Sequence, residues 1–191
     1  MRTLLLITLL SVSALTGCQA FSFLSGASAP EAEAMTAPGV SDTMARPAWH
    51  SIALTDARTG AAFTLADFAG QTVLVEPMAT WCSNCRAQLG SVARAAQQLE
   101  GQPVTFIALS VAENISDADL AAYAERQGFP FIFAVATPEM LAALTENFGR
   151  AAITPPSTPH FIIAPDGSVS ELFTGAKSAA DLVALLTTTG N

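Results

Sequence analysis

The sequence predicts an α/β domain: a central mixed β-sheet flanked by helices. Three features point there. Short β-branched apolar runs alternate with helical patterns from about residue 49 to the C-terminus. The last two strand-like runs are joined by Pro165-Asp166-Gly167, a tight turn that makes them antiparallel and the sheet mixed. Two cysteines, Cys82 and Cys85, stand where a buried strand gives way to a helix.

Taken in order, Ser51-Ile52-Ala53-Leu54 reads as a short first strand. A turn over Asp56–Gly60 and the segment Phe63–Phe68 then lead to Gly70. Val73-Leu74-Val75 is the compact apolar run of a strand covered on both faces, ending near Pro77. From about Ser83 to Leu99 the helical period places Leu89, Val92, Ala93, Ala96 and Leu99 on one side. Val104–Val111 is a second buried strand. Asp117–Arg126 is a helix that Ser116 caps, with Asp119 three residues on. Phe131–Val135 is a strand, and Pro138–Phe148 a helix opened by proline, whose missing N–H is not needed in the first turn. Phe161-Ile162-Ile163 and Val169–Phe173 form the hairpin, and Ser178–Thr187 is the closing helix.

The 191 residues suit one domain with an N-terminal extension. Hydrophobic residues make up 51%, enough for a core, while 8 basic against 16 acidic residues give a net charge of −8. With Lys177 the one lysine, there is no basic cluster to neutralise phosphates, which argues against a nucleic-acid partner. Residues 1–17 begin with a positive charge, Arg2, and an apolar run from Leu4 to Leu15. That run is shorter than the ~20 residues of a membrane-spanning helix and suits a signal peptide. It ends in Leu15-Thr16-Gly17-Cys18, which resembles the lipobox of bacterial lipoproteins. The resemblance implies cleavage before Cys18, lipidation of its thiol and a membrane anchor. Residues 18–48, rich in Ala, Ser, Gly, Pro and Thr without apolar periodicity, read as a lipidated N-terminus and flexible tether. The domain at residues 49–191 would then face the periplasm or the exterior from the bacterial cell envelope.

Cys82 falls at the N-terminus of the predicted helix, where unpaired N–H groups and the helix dipole favour a thiolate. It is therefore the expected exposed nucleophile. Cys85, nearly one turn on, can reach back and resolve a mixed disulfide. A structural zinc site needs four ligands, and the folded part offers two cysteines with His50 and His160. A permanent disulfide across so short a loop would brace little. The pair therefore reads as a redox couple that works without a separate cofactor.

The stretch TGAAFTLADFAGQTVLVEPMATWCSNCRAQL resembles thiol–disulfide oxidoreductases of the TlpA/ResA type and, more broadly, thioredoxin. The likeness spans roughly residues 49–190. It implies a thioredoxin fold with a TlpA-type insert before the final hairpin. It also implies exchange with exported proteins that carry disulfides or thiols, and a membrane electron-transfer partner. A cis-proline facing the cysteine pair is implied as well. Pro159 fits best, with Pro155 and Pro156 as competitors, and would present the backbone of Thr158 to a substrate peptide. Glu76, six residues before Cys82 in an apolar strand, matches the buried acid that relays protons to the resolving cysteine in thioredoxin. Burial should raise its pKa. Trp81 is read as a flat apolar lip beside the nucleophile.

The chain departs from this pattern at four places. Ser83-Asn84 lacks the proline common before the second cysteine, and Pro77-Met78 stands where aromatic residues are usual. Gly90 replaces a frequent helix-kinking proline, and Gln88 a frequent glutamate. The dipeptide tunes thiolate stability, so the direction of electron flow is not legible in it. Two rival functions remain. A copper-binding protein would use Cys82, Cys85 and His160 as soft ligands, although related copper-delivery proteins space their cysteines CxxxC. A peroxiredoxin-type peroxidase would carry PxxxTxxC, whereas Pro77–Cys82 gives PxxTxC.

Overall fold

The computed structural model describes residues 46–190. Cys18, the signal peptide at residues 1–17 and the tether up to residue 45 lie outside the described residues. A two-stranded ribbon pairs β1 (Leu54–Thr55) antiparallel with β2 (Ala62–Phe63). The main sheet runs β5-β4-β3-β6, with β3 at Thr72–Met78, β4 at Val104–Ser110, β5 at Ile132–Val135 and β6 at Phe161–Ile163. The pairs β3–β4 and β4–β5 are parallel and β3–β6 is antiparallel, so the sheet is mixed as predicted. Parallel neighbours need a crossover, and α1 (Ser83–Gln98) and α2 (Asp117–Gln127) supply the two. Helices α3 (Pro138–Phe148) and α4 (Ala179–Thr189) complete the flanking layers.

Strand β3 is buried at all seven positions, being central and covered on both faces. Alternation along it divides the core in two. Leu74 and Met78 pack with Cys85, Leu89 and Val92 of α1 and with Leu182 and Leu186 of α4. Val73 and Val75 pack on the other face with Met140 and Leu144 of α3. Glu76 shares the parity of Leu74 and Met78, which puts it on the face that α1 covers. Ser116 caps α2 as the sequence indicates, its Oγ accepting from Asp119 N at 3.1 Å, and Thr137 Oγ1 does the same for α3, accepting from Met140 N at 3.2 Å. Along α1 the buried positions are Cys85, Gln88, Leu89, Val92 and Ala95, which turns the stripe slightly from the predicted one.

Two predicted strands come out differently. The run at Ser51–Leu54 begins instead as a 3-10 turn over Ala48–Ser51, and β1 keeps only Leu54–Thr55. The returning strand Val169–Phe173 is not continuous. It holds to the preceding segment by two antiparallel bridges, Ile163 with Val169 and His160 with Phe173. These are three residues apart on one side and four on the other, so one extra residue bulges out. Ser170 fills the gap: its Oγ takes the N–H of Ile162 at 2.9 Å where a main-chain carbonyl would otherwise stand. Among the described residues no helix is long and apolar enough to cross a membrane.

Candidate active site

After the buried end of β3, the chain turns through Ala79-Thr80-Trp81, and Cys82 N donates to Ala79 O at 3.1 Å. Trp81 is left 68% exposed, the one large hydrophobic side chain so displayed among the described residues. Cys82 is the N-cap of α1, in extended conformation, and its Sγ accepts the N–H of Cys85 at 3.1 Å. A thiolate there inherits that hydrogen bond and the positive end of the helix dipole. Cys82 and Cys85 are joined as a disulfide, with their Cα atoms 5.3 Å apart. Cys82 retains 4% exposure and Cys85 none. The expectation of an openly exposed nucleophile is therefore corrected for this oxidised form. The helix start is packed against the proline loop.

That loop, a 3-10 turn at Pro155–Ser157, lies against the start of α1. Pro155 O sits 3.2 Å from Cys85 Sγ, a position where it would accept from the free thiol. Asn84 Nδ2 donates to Pro156 O at 3.1 Å. Thr158 follows in the left-handed region at φ 47°, a strained conformation for a β-branched residue. Its N–H donates to Pro155 O at 2.8 Å and its carbonyl accepts from His160 Nδ1 at 3.0 Å. Both backbone groups of Thr158 thus have internal partners, and pairing with a peptide would use the second lone pair of that carbonyl. Pro159 is buried and leads into β6. All three candidate prolines belong to one loop beside the cysteine pair.

His160 is fully buried. A carbonyl can only accept, so Nδ1 carries the proton and Nε2 is left as a bare nitrogen without a partner. Burial holds its pKa below the usual histidine value; the Thr158 carbonyl opposes this and Lys177 adds to it. The ring stacks on Phe173 at 5.4 Å, and Lys177 Nζ lies 5.0 Å above the other ring's centroid. Gly175 N donates to Ser157 O at 2.8 Å, tying the loop before α4 to the proline loop. Between them runs a groove of about 460 Å³, lined by Asn84, Ala87, Ser157, Thr158, Thr174 and Gly175 among others.

Glu76 is 1% exposed, and neither carboxylate oxygen has a hydrogen-bond partner. Burial pushes its pKa well above the usual carboxylate value, and the nearby Gln88 amide offsets part of that rise. Gln88, also 1% exposed, accepts the N–H of Lys177 on Oε1 at 2.8 Å, while its Nε2 is unpartnered. Among the described residues no three His, Cys, Asp or Glu side chains converge as a metal-ligand group. Cys82, Cys85 and His160 are therefore not gathered into one here.

A family model described as Redoxin matches residues 24–186. The chain belongs to the redoxin family. Comparison with curated proteins gives no match. Among solved structures, this redoxin is similar to a thiol:disulfide interchange protein of the thioredoxin family from Chlorobium tepidum, at 24% identity and TM-score 0.64, over 73% of this chain and 93% of that one. It is similar to a secreted Mycobacterium tuberculosis disulfide oxidoreductase, at 16% identity and TM-score 0.54, over 72% and 95%. It is also similar to the copper-bound ScoI of Arabidopsis thaliana, at 15% identity and TM-score 0.58, over 72% and 94%. The fold is the thioredoxin fold. Family membership together with the Cys82–Cys85 disulfide makes this redoxin a thiol–disulfide oxidoreductase.

Of the residues expected from the sequence, Glu76 lies in β3, Trp81, Cys82 and Cys85 follow it into the start of α1, and Thr158 and Pro159 belong to the loop packed against that start. The hydrogen bonds of Gln88, Asn84 and the Pro155 carbonyl were not legible in the sequence. Gln88 was visible as a departure in the motif, but nothing local foretold a partner at Lys177. Trp49 and His50 carried no usable signal. His50 is buried and Trp49 half-buried, set edge-on against Phe148 and Phe161.

Proposed function

We propose that this redoxin exchanges disulfides with exported proteins through its Cys82–Cys85 couple. It does so while held to the bacterial cell envelope by lipid on Cys18, its domain facing the periplasm or the exterior. The observation that carries the reading is the disulfide at the start of α1, with Cys82 Sγ bonded to the Cys85 N–H and a groove alongside. In the reducing direction the Cys82 thiolate attacks a substrate disulfide. One S–S bond breaks, a mixed disulfide forms, and the departing substrate sulfur takes up a proton. Cys85 then gives its proton to the Glu76 carboxylate and attacks Cys82 Sγ, which releases the second substrate thiol and leaves the enzyme oxidised. Two electrons from a membrane electron-transfer partner restore the dithiol. Run backwards, the same steps oxidise a substrate dithiol.

The test is turnover of insulin disulfides with dithiothreitol as donor. Cys82→Ser is expected to reduce the rate to background; wild-type turnover in that variant would remove the reading. For the anchor, Cys18→Ser expressed in a bacterial host is expected to leave the membrane fraction and lose acyl labelling. Unchanged membrane partition would refute it.

A second reading, copper binding by Cys82, Cys85 and His160, draws support from the Sco relative and from the bare His160 Nε2. Stoichiometric Cu(I) binding by the reduced protein, lost in His160→Ala, is its expected result. No binding by the reduced protein would end it.

A further inference from the structure

Gln88 is a polar side chain, 1% exposed, in the apolar stripe of α1 and three residues beyond Cys85. A buried amide is unfavourable unless its donors and acceptor find partners. Its acceptor has one: Oε1 takes the Lys177 N–H at 2.8 Å. That bond fixes which way the amide is turned, because Nε2 can only donate and has nothing to offer an N–H. Nε2, with its two N–H donors, is left for another group, and the buried group that Gln88 acts on is Glu76. Burial and this amide are the two influences on Glu76; no charged side chain from α1, β4, β6 or α4 is among them. The cysteines beside it are held as a disulfide and do not titrate. A neutral carboxyl can stand next to an unengaged amide. An ionised carboxylate only accepts, and in a dry interior it needs a donor.

We propose that Gln88 is a positioning residue: oriented by the Lys177 N–H, it supplies the hydrogen bond that Glu76 takes up on ionising. The same amide thereby links Glu76 to the loop 174–178, whose Thr174, Gly175 and Ala176 line the groove. The catalytic meaning of this coupling rests on the reading of Glu76 as proton acceptor for Cys85. When the Cys85 S–H bond breaks and the proton passes to the Glu76 carboxylate, the acid formed holds the Gln88 donor more weakly than the carboxylate did. The bond to Lys177 persists, so the loop keeps its place while the Glu76 side of the amide loosens.

The experiment follows the Glu76 side-chain carboxyl by carbon NMR across pH in the domain of the full chain, with the resonance assigned from Glu76→Gln. Amide exchange at Lys177 is read in the same samples. In Gln88→Leu the Glu76 midpoint is expected to rise by about one pH unit or more, and the Lys177 N–H to exchange about tenfold faster. In Gln88→Glu, close in shape, Lys177 protection is expected to stay while the Glu76 midpoint still rises, because an acceptor remains and the amide donor gives way to a carboxylate of like charge. An unmoved Glu76 midpoint in Gln88→Glu overturns the proposal even if Gln88→Leu fails to fold. Lys177 exchange unchanged in a folded Gln88→Leu overturns the coupling to the loop. Insulin turnover by Glu76→Gln tests the proton-acceptor reading separately. Wild-type rates at every pH would remove Glu76 from the chemistry and leave the titration result standing.

Discussion

Glu76 is the residue whose behaviour was most fully legible in the chain. A carboxyl at an even position between Leu74 and Met78 must share their buried face, and burial alone then raises its pKa. Its partner was not legible, because the Gln88 amide is oriented by a residue 89 positions away. The same holds for Asn84 and Cys85, whose carbonyl partners at Pro156 and Pro155 lie 72 and 70 residues along the chain. Local spacing announces a motif, whereas long-range contacts depend on how the loops close. Glu76→Gln should slow insulin reduction by about tenfold or more near neutral pH, where the thiol of Cys85 needs an acceptor. The deficit should shrink as pH rises, because solvent base can then take the proton in place of the carboxylate. A deficit that stays constant with pH would contradict this.

The helices were legible because caps and periodicity are local: Ser116 caps α2 as its sequence position indicates, and in the structure Thr137 and Ser178 cap α3 and α4 in the same way. The short strands were not, because pairing decides them. Val169–Phe173 has strand composition, yet one extra residue against β6 breaks its ladder and hands the Ile162 N–H to Ser170. Ser170→Ala should therefore destabilise the domain by about 1–3 kcal/mol, since a buried N–H is left unpaired. Chemical denaturation checks it, and an unchanged midpoint would mean that the bulge has another donor-satisfying route. Gly90 is the converse case. It is interior to α1, and a Cβ there would meet only Arg94 Nη1, at 3.8 Å. Gly90→Ala should stabilise the protein by about 0.5–1 kcal/mol through helix propensity. A loss of stability in the same measurement would show that the helix needs glycine at this position.

For the whole molecule, opposing buried groups shape the dependence of stability on pH. His50, fully buried, has its pKa lowered from 6.5 to about 4, mainly by burial and further by Arg46. The fold thus favours its neutral form, and that contribution is complete above pH 6.5 and is lost as pH falls toward about 4. Glu76 runs the other way. Its raised pKa favours the neutral acid, so its contribution is present below the usual 4.5 and is lost as pH rises through the folded value. Glu76→Gln should accordingly gain about 1–3 kcal/mol over the wild type at pH 8, and less at pH 5, in urea unfolding of the oxidised protein. Equal gains at both pH values would show that Glu76 is not held neutral by the fold.

The α/β alternation and the position of the cysteine pair carried the architecture, and the family match and the disulfide carry the chemistry. The division of labour within the pair is tested most directly by trapping the intermediate. Reduced Cys85→Ser, mixed with insulin and quenched in acid, should accumulate a one-to-one adduct. Non-reducing peptide mass spectrometry should place that adduct on Cys82 and find none with reduced Cys82→Ser. An adduct on Cys85 in the Cys82→Ser protein, formed as fast as the Cys82 adduct, would contradict the assignment of Cys82 as the attacking sulfur.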